Sequence, residues 1–313
     1  MNRCLSDKGE PSVIWPAYLA LGAEELQDRA KRAMASLAGC TICPRACRVN
    51  RLAGERGWCR AGRYARVASY FPHPGEEEPI SGWRGSGTVF FAGCNLACVY
   101  CQNWEISQRD EGQEVTEEEL AEIMLRLQAE GCHNINLVSP THAVPQVLAA
   151  LALAVPAGLR LPIVYNSGGY DSLATLRLLD GIVDIYMPDA KYDDDQVGQE
   201  LSGVPAYVQV NRLALKEMHR QVGDLQLDDR GLAIRGLLVR HLVLPAGLSG
   251  AAGVFRFLAS ELSTDTYVNV MAQYRPCYQA SRFEPLRRRV TRTEYERAVA
   301  AARSAGLWRG FPG

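Results

Sequence analysis

The sequence predicts an α/β protein built on a partial (β/α)6 barrel, with a small cysteine-rich module before it. Two observations carry this prediction. From Gly87 onward, short runs of β-branched or aromatic residues alternate with helical stretches, which is typical of βαβ units and a parallel sheet. Before that point the chain is loop-rich, with one helix predicted over 24–37 and four closely spaced cysteines. We therefore expect two domains, the N-terminal helix and cysteine-rich module over 1–80 and the barrel with its C-terminal helix over 81–313.

Six strands are predicted within the barrel, at 88–93, 134–139, 162–167, 182–188, 236–245 and 267–274. The helices between them are recognised by their ends. Thr116 and Glu119 form a capping box at the start of the clearest helix, over 116–130, and Gly131 ends it. Further helices are predicted over 172–179, 205–222, 250–262 and 291–305.

Composition and charge exclude several classes of protein. Of the 313 residues, 47% are hydrophobic and 22% are charged, which excludes a mainly disordered chain. The 34 basic residues balance 35 acidic ones, so the formal charge of -1 supplies no field for binding nucleic acid or an anionic membrane. The start of the chain does not resemble a signal peptide, and prolines interrupt the apolar stretch that begins at Leu151. We expect a cytoplasmic protein with neither membrane nor nucleic-acid partners.

The 10 cysteines indicate metal or redox chemistry, because the cytosol keeps thiols reduced. Seven of them fall into two tight groups, and the other three, Cys4, Cys132 and Cys277, stand alone. Cys277 follows the last predicted strand and is a candidate hydrogen-atom donor in catalysis. The alternative for Cys277, and the expectation for the other two, is an inert apolar role.

The group formed by Cys94, Cys98 and Cys101 follows the strand at 88–93 with the spacing C-x3-C-x2-C. A loop at the carboxyl end of a strand is where barrel-like folds carry their chemistry. Three thiolates bind three irons of a cubane cluster and leave the fourth iron open for a substrate or cofactor. On spacing alone, the alternative is a zinc site completed by a distant cysteine such as Cys132.

With Tyr100 before its last cysteine, this loop resembles the cluster motif of the radical S-adenosylmethionine (SAM) superfamily. The resemblance covers nearly everything from Cys40 to Leu307, and it is strongest to the PflX-type branch, relatives of pyruvate formate-lyase activating enzyme. The segments that carry it are CQNWEIS, SPTH, YMPDAKY, MHRQVGDL, RGLLVRHLVLP and DTYVNVMAQYRPCY.

The resemblance implies an oxidoreductase with a [4Fe-4S] cluster whose open iron binds S-adenosylmethionine. One electron from the reduced cluster would cleave this cofactor to methionine and a 5'-deoxyadenosyl radical, which abstracts hydrogen. The protein would supply position and exclusion of water. A flavodoxin- or ferredoxin-like donor of low-potential electrons is implied as a partner.

Contacts to the cofactor are implied at two predicted strand ends. The second strand ends in Ser139-Pro140-Thr141-His142, where many relatives have Gly-Gly-Glu, so Ser139 or His142 would replace that motif. Helix capping is the alternative for His142. The third strand ends in Asn166 and Ser167, which resemble the family's strand end near the ribose, and a strand-to-helix turn there is compatible with that role.

Charged residues follow or interrupt two later strands. Asp189 and Lys191 match the Asp-x-Lys of the activating enzymes, which lies close to the methionine moiety, and alternation puts residues i and i+2 on one face. A plain salt bridge is the alternative. Arg240, in an apolar strand, occupies the position of a family arginine near the cofactor, with a side chain that reaches solvent at the rim as the alternative.

The other group has the spacing C-x2-C-x3-C-x11-C and consists of Cys40, Cys43, Cys47 and Cys59. It resembles the CxxCPRxCxVNR opening of PflX-type proteins. Four thiolates close a tetrahedral site without an open position, so we expect structural zinc or an auxiliary iron–sulfur cluster rather than chemistry on a substrate. Both metals accept four cysteines, and the choice between them stays open.

Three functions fit these residues. The protein activates a glycyl-radical partner enzyme by abstracting hydrogen from a backbone glycine, or it modifies another peptide or a small molecule by the same chemistry. The third alternative is a metal-stabilised binding module without catalysis. The first two predict a brown protein that cleaves S-adenosylmethionine, and the third predicts a colourless zinc protein. If the protein activates a glycyl-radical enzyme, that enzyme is its protein substrate and an expected partner.

Overall fold

The computed structural model describes residues 15–109 and 111–311, which are organised by a mixed sheet of nine strands. The strands are β1 (Ala65–His73), β2 (Ser86–Phe91), β3 (Gln113–Val115), β4 (Ile135–Val138), β5 (Ile163–Asn166), β6 (Ile185–Tyr186), β7 (Gln226–Leu227), β8 (Ala233–Leu242) and β9 (Tyr267–Met271).

Six of these strands run parallel in the spatial order β2-β4-β5-β6-β8-β9. They overlap the six predicted strands and follow one another in chain order. Because all six strands run in the same direction, their carboxyl ends lie at the same edge of the sheet, and crossover connections link each strand to the next. The expected α/β architecture is confirmed as a mixed α/β fold with an open sheet.

The helices are α1 (Gly22–Ala35), α2 (Glu78–Ser81), α3 (Trp104–Gln108), α4 (Glu117–Ala129), α5 (Val144–Ala154), α6 (Leu173–Leu178), α7 (Asp195–Ser202), α8 (Tyr207–Val222), α9 (Ala251–Glu261) and α10 (Arg292–Ser304). Each crossover between successive parallel strands contains at least one of the helices α3 to α9. All six predicted helices are present, and the capping box of Thr116 and Glu119 opens α4 as expected. Within the described part of the chain, no helix has the length and apolar character that crossing a membrane requires.

The segment before residue 80 shares an apolar core with the parallel strands. Strand β1 pairs antiparallel with β2, and β3 pairs with β1. Helix α1 packs against α5, and its buried Leu26 and Ala30 belong to the same apolar cluster as the strand residues Val89 and Ile135. Residues 15–80 therefore have no separate core in this structure.

Candidate functional site

A cleft of about 230 Å³ lies at the carboxyl edge of the parallel strands. The cysteines that follow β2 line it, as do side chains that follow or end the other strands. Six of the seven residues expected to contact the cofactor face this cleft together with the three cysteines: Ser139, Asn166, Ser167, Asp189, Lys191, Arg240, Cys94, Cys98 and Cys101. The topology thus brings together residues that are far apart in the sequence.

The cysteine loop is held mainly by its backbone. The amides of Ala97 and Val99 donate to carbonyls at the end of α7, each at 2.9 Å. Two sulfurs lie beside hydroxyls, with Cys98 Sγ 3.0 Å from Ser202 Oγ and Cys101 Sγ 3.2 Å from the hydroxyl oxygen of Ser107. Because the backbone bonds fix the loop, its three thiols are available to a ligand.

A chain of buried hydroxyls continues behind Cys98. The hydroxyl of Tyr192 lies 2.7 Å from Ser202 Oγ, and it also hydrogen bonds to the hydroxyl of Tyr100. Both tyrosine rings are buried, at 4% and 2% exposure for Tyr100 and Tyr192. Burial raises the pKa of Tyr100 well above its ordinary value, so these groups act as neutral hydrogen-bonding partners near the sulfur.

Asp189 is the centre of a charged network in the cleft wall. Lys191 Nζ donates to Asp189 Oδ2 at 2.6 Å, and Arg240 Nε donates to Asp189 Oδ1 at 3.1 Å. Arg240 also donates from Nη2 to Asn166 Oδ1 at 2.7 Å. The three charged side chains are 15–19% exposed, so they reach the cleft from a largely buried position.

The network keeps its charges at neutral pH. Burial alone would raise the pKa of Asp189, but the adjacent Lys191 and Arg240 outweigh it and hold that pKa below its ordinary value. Burial would lower the pKa of Lys191, and Asp189 together with Cys98 raises it well above the usual range. Two cations and one carboxylate therefore face the cleft, a set that suits the carboxylate and ammonium of an amino acid.

Close packing fixes the strand ends around this network. Asp171 is buried and accepts hydrogen bonds from Thr141, Tyr165 and Ser167 at 2.6–2.8 Å, so the Ser167 hydroxyl is already engaged. Gly169 has a φ of +73°, and a Cβ atom at this position would lie 2.0 Å from the Asp189 carbonyl oxygen. Only glycine permits this approach between the ends of β5 and β6.

Two expected site residues lie elsewhere. His142, which was expected to contact the cofactor, is not among the residues that line the cleft. The 3-10 turn Thr141–Ala143 after β4 leaves its ring buried, with Nε2 2.9 Å from the Ala92 carbonyl oxygen. Burial lowers the pKa of His142 to about 4, so the ring is neutral. Cys277 is half-buried and also does not line the cleft, and Cys4 lies outside the described residues.

Four residues near the site were not expected from the sequence. Ser107 and Ser202 contact the cysteine sulfurs, as described above. From α8, Tyr207 donates to the Gly168 carbonyl at 3.0 Å, and Asn211 donates to that of Gly169 at 2.9 Å. A serine, tyrosine or asparagine within or at the end of a helix has no distinctive local pattern, so only the fold reveals these contacts.

The donor set fits an iron–sulfur cluster of the kind that the spacing predicts. In residues 15–109 and 111–311, no three His, Cys, Asp or Glu side chains are already arranged as metal ligands. Three cysteine sulfurs nevertheless line one wall of a cleft, which is the ligand set of a cubane with one open iron. The charged network in the same cleft provides the groups that an amino acid bound to that iron requires.

Comparison with known proteins identifies the class. Residues 88–219 match the model of the Radical SAM superfamily. The chain is also 33% identical over 278 residues to the uncharacterized protein MJ0674 of Methanocaldococcus jannaschii, covering 86% of this chain and 75% of that protein. The protein therefore belongs to the radical SAM superfamily, whose members use a [4Fe-4S] cluster and S-adenosylmethionine. A shorter similarity, 33% over 125 residues, links it to MJ0808 of the same organism, with 34% of this chain and 35% of that protein covered.

Solved radical SAM structures are similar at low sequence identity. A radical SAM methyltransferase from Sphaerobacter thermophilus has a TM-score of 0.46 and 14% identity, over 70% of this chain and 64% of that chain. HydG, a maturase of the [FeFe]-hydrogenase, has a TM-score of 0.47 and 13% identity, over 92% of this chain and 63% of that chain. The match spans less than two thirds of the length of either structure.

Proposed function

We propose that this protein is a radical SAM enzyme that holds its cluster through Cys94, Cys98 and Cys101 and cleaves S-adenosylmethionine in the cleft beside them. The observation that supports this proposal is the convergence of six expected cofactor residues on the cleft that the three cysteines line. A binding module without catalysis has no need of the charged network of Asp189, Lys191 and Arg240 beside three cysteines that can bind a cluster. The non-catalytic alternative is therefore disfavoured.

The charged network divides the binding of the methionine moiety between its members. Lys191 and Arg240 attract the carboxylate, and Asp189 accepts from the ammonium group while keeping both cations in place. When bound, the cluster would supply one electron to break the C5'–S bond of S-adenosylmethionine, giving methionine and, with one hydrogen atom taken from the substrate, 5'-deoxyadenosine. The electron comes from a flavodoxin- or ferredoxin-like donor.

The substrate in this proposal is a backbone glycine of a partner enzyme. The support for this choice is the resemblance of YMPDAKY and of the other segments to the activating-enzyme relatives of the PflX-type branch. Modification of another peptide or of a small molecule uses the same residues and is the alternative. A partner labelled with deuterium at glycine distinguishes them, because hydrogen abstraction from glycine transfers deuterium into 5'-deoxyadenosine. Unlabelled product from every candidate glycyl-radical partner would contradict the first choice.

Replacement of each cluster cysteine tests the cleavage itself. Cys94→Ala, Cys98→Ala and Cys101→Ala should each abolish 5'-deoxyadenosine formation by anaerobically reconstituted, reduced protein, because each removes an iron ligand that the chain cannot replace. Chromatography of the products measures the yield. Cys132→Ala is the matched control, since Cys132 is buried outside the cleft and should leave the yield unchanged. A yield like that of the wild type from any of the three variants would refute the assignment.

A further inference from the structure

The four cysteines before β1 surround a second and much smaller cavity. Cys40, Cys43, Cys47 and Cys59 all line it, and so do Arg51 and His142. Its volume is about 10 Å³, close to that of one water-sized sphere. Cys47 is exposed and the other three cysteines are buried, so the thiols meet in a confined space with one of them at the surface.

A buried cation forms part of the wall of this cavity. Arg51 is 1% exposed, and it donates to the carbonyls of Gly62 and His142, each at 2.8 Å. Its Nη1 lies 3.9 Å from Cys40 Sγ, and its Nη2 has no hydrogen-bond partner. Among residues 15–109 and 111–311, no carboxylate forms an ion pair with Arg51. Burial of an unpaired cation is costly, so an anion is required in the cavity.

The cysteines are the residues that can provide this anion. Neutral thiols leave the charge of Arg51 uncompensated, whereas thiolates bound to a metal ion compensate it. His142 Nδ1, in the same wall, is a second buried polar atom without a partner.

We infer that Cys40, Cys43, Cys47 and Cys59 bind one zinc ion as a closed tetrahedral site. One Zn²⁺ with four thiolates carries two negative charges, which the guanidinium groups of Arg51 and Arg45 in the cavity wall balance. The C-x2-C and C-x3-C spacings that link Cys40, Cys43 and Cys47 lie in the range typical of structural zinc sites. Within residues 15–109 and 111–311, neither these four cysteines nor Cys94, Cys98 and Cys101 are grouped as metal ligands.

The zinc site also supports the loop that carries the catalytic cluster. Arg45, two residues after Cys43, donates to the carbonyl of Asn95 and, at 2.9 Å, to that of Gly203. Its guanidinium stacks on Trp58 with 3.8 Å to the ring centroid. A Cβ atom at Gly93 would lie 2.3 Å from the Cys59 carbonyl oxygen. The residues on both sides of Cys94 therefore contact the zinc-binding segment.

Metal analysis of a cluster-free chain tests the inference without any enzymatic assay. The full-length variant with Cys94, Cys98 and Cys101 all replaced by Ser is purified anaerobically from medium containing both iron and zinc. We expect about one zinc and no iron per chain. Addition of Cys59→Ser should remove the zinc, while addition of Cys132→Ser, a buried cysteine outside both cavities, should retain it.

A second measurement separates loss of the ligand from loss of the fold. Cys47 is exposed, so Cys47→Ser should keep the fold and weaken zinc binding by more than about tenfold in competition with a chelator. Co²⁺ added to the zinc-free chain should give the absorption of a tetrahedral thiolate complex. Iron in place of zinc, no metal, or unchanged zinc affinity in Cys47→Ser would each overturn the inference. These results are independent of S-adenosylmethionine cleavage, so failure here leaves the proposed function intact.

Discussion

Asp189→Asn tests the charged network at its centre. The substitution keeps the size of the side chain and removes the negative charge that Lys191 contacts at 2.6 Å and Arg240 at 3.1 Å. Two cations then remain beside the cleft without a carboxylate, and the acceptor for the cofactor's ammonium group is weakened. We expect the variant to retain its iron, because the cluster cysteines are on a different loop.

The magnitude follows from the bonds that are lost. One charge-assisted hydrogen bond contributes about 1.5–3 kcal/mol, which corresponds to roughly a 10- to 150-fold increase in the Kd of S-adenosylmethionine. Asp189 is 16% exposed, so solvent screens this interaction much less than at a surface pair. Glu261→Gln is the matched control, because it breaks the Lys216–Glu261 pair, which is 45–46% exposed and lies away from the cleft.

Anaerobic equilibrium titration of S-adenosylmethionine into the reconstituted protein measures the effect. Urea unfolding of the same variant separates direct contact from general destabilisation. If Asp189 contacts the cofactor, Asp189→Asn binds weakly while its free energy of unfolding stays close to that of the wild type. Unchanged affinity and an unchanged cleavage rate in Asp189→Asn, with normal iron content, would show that the network is only part of the scaffold.

Two further substitutions test the packing around the site. Burial lowers the pKa of His241 from 6.5 to about 4. As the pH falls below about 6.5, the unfolded chain therefore binds a proton at this histidine before the folded chain does, and the folded state loses stability. In urea unfolding, His241→Gln should reduce the difference in unfolding free energy between pH 7.5 and pH 5 by about 2 kcal/mol. An unchanged difference would mean that the ring is not held neutral by the fold. Gly169→Ala should lower the free energy of unfolding by about 1–3 kcal/mol more than Gly223→Ala does. Both glycines have a φ near +70°, but only Gly169 has no room for a Cβ atom. Equal losses in the two variants would contradict the close approach at Gly169.

The parts of the fold and site that could be predicted are those that depend on residues close together in the sequence. Cysteine spacing identified both groups, and Asp189 and Lys191 are two residues apart, so strand alternation placed them on one face. Arg240 and Asn166 are 74 residues apart, and their hydrogen bond depends on the order of strands in the sheet. The alternation of strands and helices predicted that all strand ends share an edge, but it does not determine which side chains touch.

Two elements that were not predicted, α5 and β1, lack a clear periodic pattern of apolar and polar residues. Helix α5 is buried on nearly every face between neighbouring helices and strands, so its apolar residues do not form a stripe. Strand β1 is antiparallel and lies in a segment rich in loops, where cysteines and prolines dominated the pattern. The position of the His142 ring could not be predicted, because a residue that follows a strand end can turn toward either side and the hydrogen bond to Ala92 that fixes the ring is long-range.

The position of β1 explains why the two cysteine groups are neighbours in space. In the antiparallel pair, Val67 lies opposite Phe91, so the chain that enters β1 runs beside the chain that leaves β2. Cys59 comes shortly before β1 and Cys94 shortly after β2, which brings the Cys59 carbonyl against Gly93. Zinc bound by the N-terminal cysteines, as inferred above, would make rigid a segment that contacts the Cys94 loop. Strand pairing therefore places the segment that ends in Cys59 beside the loop that carries Cys94.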